Sequence, residues 1–133
     1  MKATTMSELR MPTLNRVLLS GRLTRDPELK FTAGGTAVCN FSLAVNRRYK
    51  DQGGQWRDET TFINVVTWHK AAETVNKFLH KGSPVIVEGR LESRSWETEA
   101  GQKRSVIEVR ADQVRFLEKS ESSPDDAPPE QPE

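Results

Sequence analysis

The chain carries one cysteine and two histidines in 133 residues. A single Cys39 excludes an internal disulfide and agrees with a reducing compartment; it sits in an alternating stretch, where a buried inert thiol is expected rather than a nucleophile. His69 and His80 lie at the two ends of one expected helix and face different ways, and no His, Cys, Asp or Glu group has metal-ligand spacing. Lys81-Gly82-Ser83 lacks the upstream glycine and the following helix of a phosphate-binding loop, so it carries no chemistry. These absences argue against an enzyme, a cofactor or a metal site. No run of eighteen apolar residues is present, and the first residues lack the apolar core of a secretion signal, so a soluble cytoplasmic protein without a membrane span is expected.

Strong net charge is also missing: the total is only +1. Its distribution is uneven. Residues 119–133 hold five acids (Glu121, Asp125, Asp126, Glu130, Glu133) against Lys119, a net −4, which leaves +5 on residues 1–118. A basic body with an acidic tail suits a polyanion-binding domain whose tail acts elsewhere; ordinary charge fluctuation in a small domain is the plainer reading. The tail also has four prolines and no large apolar residue. It cannot repay the entropy of ordering and is expected to be disordered.

What is present is alternation. The organising stretch is Thr60–Leu79: its first nine residues put Phe62, Asn64, Val66 and Trp68 on one strand face and Thr61, Ile63, Val65 and Thr67 on the other. At His69 the period lengthens to about 3.6 residues, and Ala71, Ala72, Val75, Phe78 and Leu79 fall on one helical face closed by Gly82 and Pro84. Ahead of it, residues 1–14 read as a mobile leader, Asn15–Thr24 as a strand bent at Gly21, Leu29–Phe31 as a short extended piece, and Ala37–Asn46 as a second strand with Cys39, Phe41, Leu43 and Val45 on one face. Residues 47–59 read as a polar loop around Gly53-Gly54, the tip of a long hairpin. A fourth strand opens at Pro84 and runs through Trp96 with a bend at Gly89; after a turn at 97–102 a fifth occupies Lys103–Leu117.

The order is thus all-β with one helix, and glycine bends let such a sheet close on itself. A five-stranded OB-fold barrel with one short helix between strands 3 and 4, long β-hairpin loops and a disordered C-terminal tail is the expected architecture, occupying residues 15–118; a flat α+β sandwich is the alternative.

Aromatics make up 7% of the chain, yet five of the nine lie beside or among bases: Tyr49, Trp56, Phe62, Trp68 and Trp96. A single-stranded nucleic acid exposes π-faces and a charged backbone together, so its binder needs planar side chains alternating with Arg and Lys. Phe31, Phe41, Phe78 and Phe116 sit among apolar neighbours and are expected in the core. Phe62 and Trp68 could also be core residues, but Asn64 between them on the same face points to solvent or ligand. Tyr49, Trp56 and Trp96, read as loop and hairpin-tip aromatics, have little core to enter, interface packing being their plainer explanation. Arg47, Arg48, Lys50, Arg57, Arg94, Lys103 and Arg104 cluster in the same two hairpins.

These residues also carry a family likeness. Asn15-Arg16-Val17, the run from Arg25 to Leu29 (RDPEL), the strand-to-helix stretch and the run from Lys81 to Leu91 (KGSPVIVEGRL) resemble the bacterial-type single-stranded DNA-binding protein family over residues 15–117. The resemblance implies stacking by Tyr49, Phe62, Trp68 and Trp96, with Trp56 an additional candidate. It also implies a homotetramer of OB-folds that wraps single-stranded DNA, paired through the strand from Arg16 to Thr24, and a role in replication, recombination and repair. With Arg16 and Arg22 added to the hairpin bases, the expected DNA-contacting set is complete. Three departures stand out. Tyr49 and Phe62 occupy positions where tryptophan is common, Asn64 replaces a frequent basic residue, and the tail ends APPEQPE rather than in an acidic tip finishing Pro-Phe, so it lacks that anchor for replication and repair proteins. A replication adaptor with DNA binding secondary, an RNA-binding OB-fold and a metal-dependent nuclease are the rival readings.

Overall fold

The computed structural model describes residues 9–117. Seven elements follow in order: β1 (Val17–Leu23), β2 (Glu28–Phe31), β3 (Ala37–Lys50), β4 (Trp56–Trp68), α1 (His69–Phe78), β5 (Pro84–Glu97) and β6 (Lys103–Phe116). Neighbouring strands run β1-β5-β6-β4-β3-β2, and a further β1–β3 pairing at Arg22↔Ala44 and Leu23↔Leu43 closes five of them into a barrel. The short β2 lies outside that ring, hydrogen-bonded to β3 alone. The expected barrel with one helix between its third and fourth strands is therefore the architecture seen. The leader falls partly outside the described residues and the tail 119–133 wholly so; residues 9–14 form no strand and are exposed.

Alternation fills the barrel. Cys39, Phe41 and Leu43 from β3, Val65 and Thr67 from β4, Val85 and Val87 from β5 and Val109 from β6 are buried together with Leu23. Each apolar side chain so enclosed contributes roughly 1.5–3 kcal/mol. Thr67 is tolerated there because its hydroxyl donates to the Cys39 carbonyl at 3.1 Å. The Cys39 thiol has no exposure, and burial pushes its pKa up to about 11, which leaves it the inert core group expected.

Helix α1 packs on the barrel through Ala72 and Val75, with Leu79 buried just past its end. It starts without a side-chain cap: the extended run of β4 breaks at His69, whose φ of 59° lies in the left-handed region where non-glycine residues are uncommon and histidine is among the more tolerated. After the helix, Gly82 turns the chain with φ 89° and its N–H donates to the Leu23 carbonyl at 2.8 Å.

Both expected bends are close backbone approaches. A β-carbon on Gly21 would overlap the Ala44 carbonyl oxygen at the β1–β3 closure; one on Gly89 would overlap the Arg110 carbonyl oxygen and lie 2.9 Å from the Ala111 α-carbon, where a bulge shifts the β5–β6 register. Asn15 docks its side-chain amide on the Leu91 backbone, donating at 2.9 Å and accepting at 2.8 Å, and so continues the role of β1 before the strand begins.

Two expectations fail. Residues 47–59 are mostly strand: β3 and β4 remain paired without interruption to Lys50↔Trp56, and only residues 51–55 turn. Glycines at 53 and 54 mark the tip, but the polar composition beside them belongs to a ribbon that projects beyond the core and wets both faces. Of the four phenylalanines assigned to the core only Phe41 is buried. Phe31 is 61% exposed, Phe78 55% and Phe116 38%, because β2 lies outside the ring and the ends of α1 and β6 overhang it.

Replacing Gly89 by alanine is expected to lower the unfolding free energy by roughly 2 kcal/mol or more, since the obstacle is backbone. Gly53→Ala, where the nearest atom is an Asp51 side-chain oxygen at 3.5 Å, should change it by less than about 0.5 kcal/mol. Urea denaturation of the two variants checks the contrast.

Candidate nucleic-acid interface

Because Val65 and Thr67 point into the core, the pleat turns Trp68, Val66, Asn64, Phe62 and Trp56 to the opposite face of β4. Phe62 is 66% exposed and Trp56 59%, while Trp68 is half-buried at the barrel wall. The register carries the same face across the sheet. Val38 and Asn40 of β3 stand beside Trp68 and Val66, and Arg48 and Lys50 stand beside Asp58 and Trp56. On the other side Val66 is level with Arg110 of β6, which is level with Arg90 of β5. Farther along this pair, Glu92↔Glu108, Arg94↔Val106 and Trp96↔Arg104 share the face.

At the centre is an open groove of about 680 Å³ with Trp68, Val66, Asn64, Val38 and Asn40 along its floor, Arg94, Glu92 and Glu108 on one side, and Arg25, Lys30 and Phe31 on the other. Phe62 and Trp56 extend the aromatic line out along the β3–β4 ribbon, and Trp96, 43% exposed, does so along β5–β6. Trp56 and Trp96 are therefore strand residues rather than loop residues.

Not all of the expected set lies together. Tyr49 is opposite Arg57 and shares with Arg47 and Glu59 the reverse face of the β3–β4 ribbon, reachable because the ribbon stands clear of the core. Lys103, opposite Glu97, is likewise on the reverse face of the second ribbon. Arg16 is ion-paired to Glu88, and Arg22 donates to the Gly82 carbonyl at 2.9 Å; both lie outside the groove. Arg22 instead lines a second groove beside Phe78, Phe116 and Lys81.

Cations cover the rings. The Arg47 guanidinium lies 4.6 Å from the Tyr49 ring centre, Arg48 5.1 Å from Trp56 with Lys50 at 5.7 Å, Arg94 4.8 Å from Trp96 and Arg110 5.1 Å from Trp68. How firmly each cation is held differs. Arg47 pairs with Glu59 at 3.1 Å and Arg57 with Asp51 at 2.9 Å, the latter bond drawing the Asp51 carboxyl below its ordinary range. These pairs are screened by solvent, and a phosphate can displace them. Glu108 is different: it is buried and receives two bonds from Arg94, at 3.1 and 3.3 Å, which push the guanidinium pKa up. Arg94 itself is more than half exposed, but its two bonds to the buried Glu108 make it the most firmly held of these cations.

A profile described as the single-strand binding protein family matches residues 14–117. The chain belongs to that family. It is similar to single-stranded DNA-binding protein 2 of Chlorobaculum tepidum, 42% identical over 117 residues that cover 87% of this chain and 79% of that one. It is 53% identical over 105 residues to single-stranded DNA-binding protein A of Bacillus subtilis, covering 79% of this chain; the match spans only 60% of that longer protein. Among solved structures, a Plasmodium falciparum SSB complex with ssDNA aligns with a TM-score of 0.74 and 28% identity, over 83% of this chain and all of that one. Membership in the family makes this a binding protein and not an enzyme.

Sequence reasoning does not find Phe31, Arg25 and Lys30, which line this family member's groove, or Arg110 beside Trp68. Phe31 looked apolar in an apolar context, and only the placement of β2 outside the barrel exposes it. Arg110 interrupts a valine-rich strand, and its position beside Trp68 depends on a parallel β4–β6 pairing that no local pattern announces. The Arg110 guanidinium lies 5.1 Å from the centre of the Trp68 ring and 3.8 Å from a Glu92 carboxylate oxygen. Arg110→Ala is expected to weaken oligo-dT binding roughly threefold in the wild-type background and not at all in Trp68→Ala, a non-additivity read from a double-mutant cycle of titrations.

Proposed function

We propose that this chain binds single-stranded DNA with little sequence preference, stacking bases on Trp68, Trp96, Phe62 and Trp56 and neutralising phosphates with the bases beside them. The observation that carries this reading is the register: an uninterrupted pairing from Val38↔Trp68 to Lys50↔Trp56 lines rings and cations along one open face of a rigid sheet. Stacking contributes about 1–3 kcal/mol per base and tolerates any base, since every base has a π-face. Arg48 and Lys50 make no ion pair among the described residues and are the readiest phosphate partners of the β3–β4 ribbon. Tyr49 adds a platform on the reverse face, where a strand wrapped around the ribbon meets it. The names of the relatives and the solved complex support DNA as the ligand.

The domain that does this is residues 15–118, with 119–133 as a separate acidic appendage. It works as a homotetramer in the cytoplasm at the nucleoid, protecting single strands and presenting them during replication, recombination and repair. The edge of β1 supports self-association: beyond Arg22 and Leu23 it pairs only with β5, so Val17–Gly21 offer an unpaired backbone edge beside an exposed Leu18. Arg16 and Arg22 fit such a copy-to-copy surface better than the groove.

Oligo-dT should quench the intrinsic tryptophan emission, duplex DNA should compete poorly, and log affinity should fall linearly with log salt at about 0.7 per phosphate neutralised. The pair Trp68→Ala, Trp96→Ala should lose at least about tenfold in affinity; wild-type affinity in that variant removes the proposed platforms.

A further inference from the structure

We infer that Phe31, with Arg25 and Lys30, forms a further base-stacking subsite that carries the DNA path from Trp68 across β3 onto β2. The inference rests on the DNA-binding reading above and extends it to an element outside the barrel ring. Phe31 is a large apolar side chain left 61% exposed, and it lines the same groove as Trp68. Lys30 is level with Val38, and Val38 with Trp68, so β2 and β4 are two strand spacings apart, about 10 Å; Phe31, level with the buried Ala37, alternates to the other face of β2 and meets the groove at its rim, where the strand ends. Among the described residues no other large apolar side chain lines this groove on the β2 side.

Charge fits the same occupant. Arg25 makes no ion pair among the described residues; Lys30 shares part of its charge with Glu28 at 3.7 Å, a pair two-thirds exposed and readily exchanged for phosphate. An exposed ring and two cations on the β2 side of a groove that also holds Trp68 and Arg94 match a polyanion with stackable bases better than an apolar partner, the acids of the groove being Glu28, Glu92 and Glu108. The loop leading to β2 is also held in place. Asp26 accepts the Lys81 backbone N–H at 2.8 Å and the Thr24 N–H donates to the Ser42 carbonyl at 2.9 Å, so Arg25 and β2 are presented from a tied segment.

The test uses the full chain and oligo-dT longer than the roughly 16 nucleotides a single OB-fold occupies at most. Phe31→Ala should bind roughly fivefold more weakly, and Phe31→Tyr should restore affinity, because a ring is what the site requires. Phe31→Trp should add emission that oligo-dT quenches beyond the wild-type change. Phe78→Ala removes a comparably exposed ring from the second groove and should bind as wild type, which controls for a general loss of surface apolarity. Wild-type affinity in Phe31→Ala, or a Phe31→Trp emission that saturating oligo-dT leaves unmoved, overturns the subsite while the barrel-face reading stands. A wild-type chain that fails to bind oligo-dT overturns both.

Discussion

The structure depends on the two-sidedness of one strand. β4 seals Val65 and Thr67 into the barrel, and the pleat then has no alternative but to hold Phe62, Asn64, Val66 and Trp68 on the other side. A slip of one residue would bury polar groups and expose the core valines, so hydrophobic burial fixes the orientation of the rings as firmly as it fixes the fold. The cost of exposing aromatic surface is thus met by the far face of the same strand. Pairing with β3 continues for seven residues past Ile63, the last position of β4 packed against the core, which turns a core strand into a projecting arm that carries Trp56 with it.

Electrostatics completes the face in two ways that differ in strength. Most cations there are bare or engaged in exposed pairs that a phosphate can exchange at little cost. Arg94 is held more firmly, by two hydrogen bonds to the buried Glu108. The face therefore combines a fixed Arg–Trp stack on β5 with looser ones along the β3–β4 arm. A path with one rigid anchor and several adjustable contacts suits a flexible, sequence-variable strand. It would be poor at reading individual bases, for which directed hydrogen bonds are needed.

Much of this was legible in the sequence, and the limits have physical causes. Alternation located β4 and its two faces residue by residue, and Gly21 and Gly89 announced the closing bends, because burial and backbone approach act on near neighbours and leave local marks. The length of the ribbon was lost: Arg47 to Lys50 and Trp56 to Glu59 have polar side chains on both faces, so nothing in their pattern separates strand from loop. Phe31, Phe78 and Phe116 were placed in the core because apolar neighbours in sequence are a poor guide where a strand or helix overhangs the barrel. Arg110 was missed for the opposite reason, since its significance comes from a strand more than forty residues away. Site residues set by register were readable; those set by long-range topology were not.

The central claim is that unpaired bases lie on the ring-bearing face of β4 and β5. Ultraviolet cross-linking of oligo-dT to the full chain, with the modified residues located by mass spectrometry, tests it directly. The account predicts adducts on Trp68, Phe62, Trp56 and Trp96. Adducts confined to the Phe78–Phe116 groove, with those four rings unmodified in a saturated complex, would contradict it.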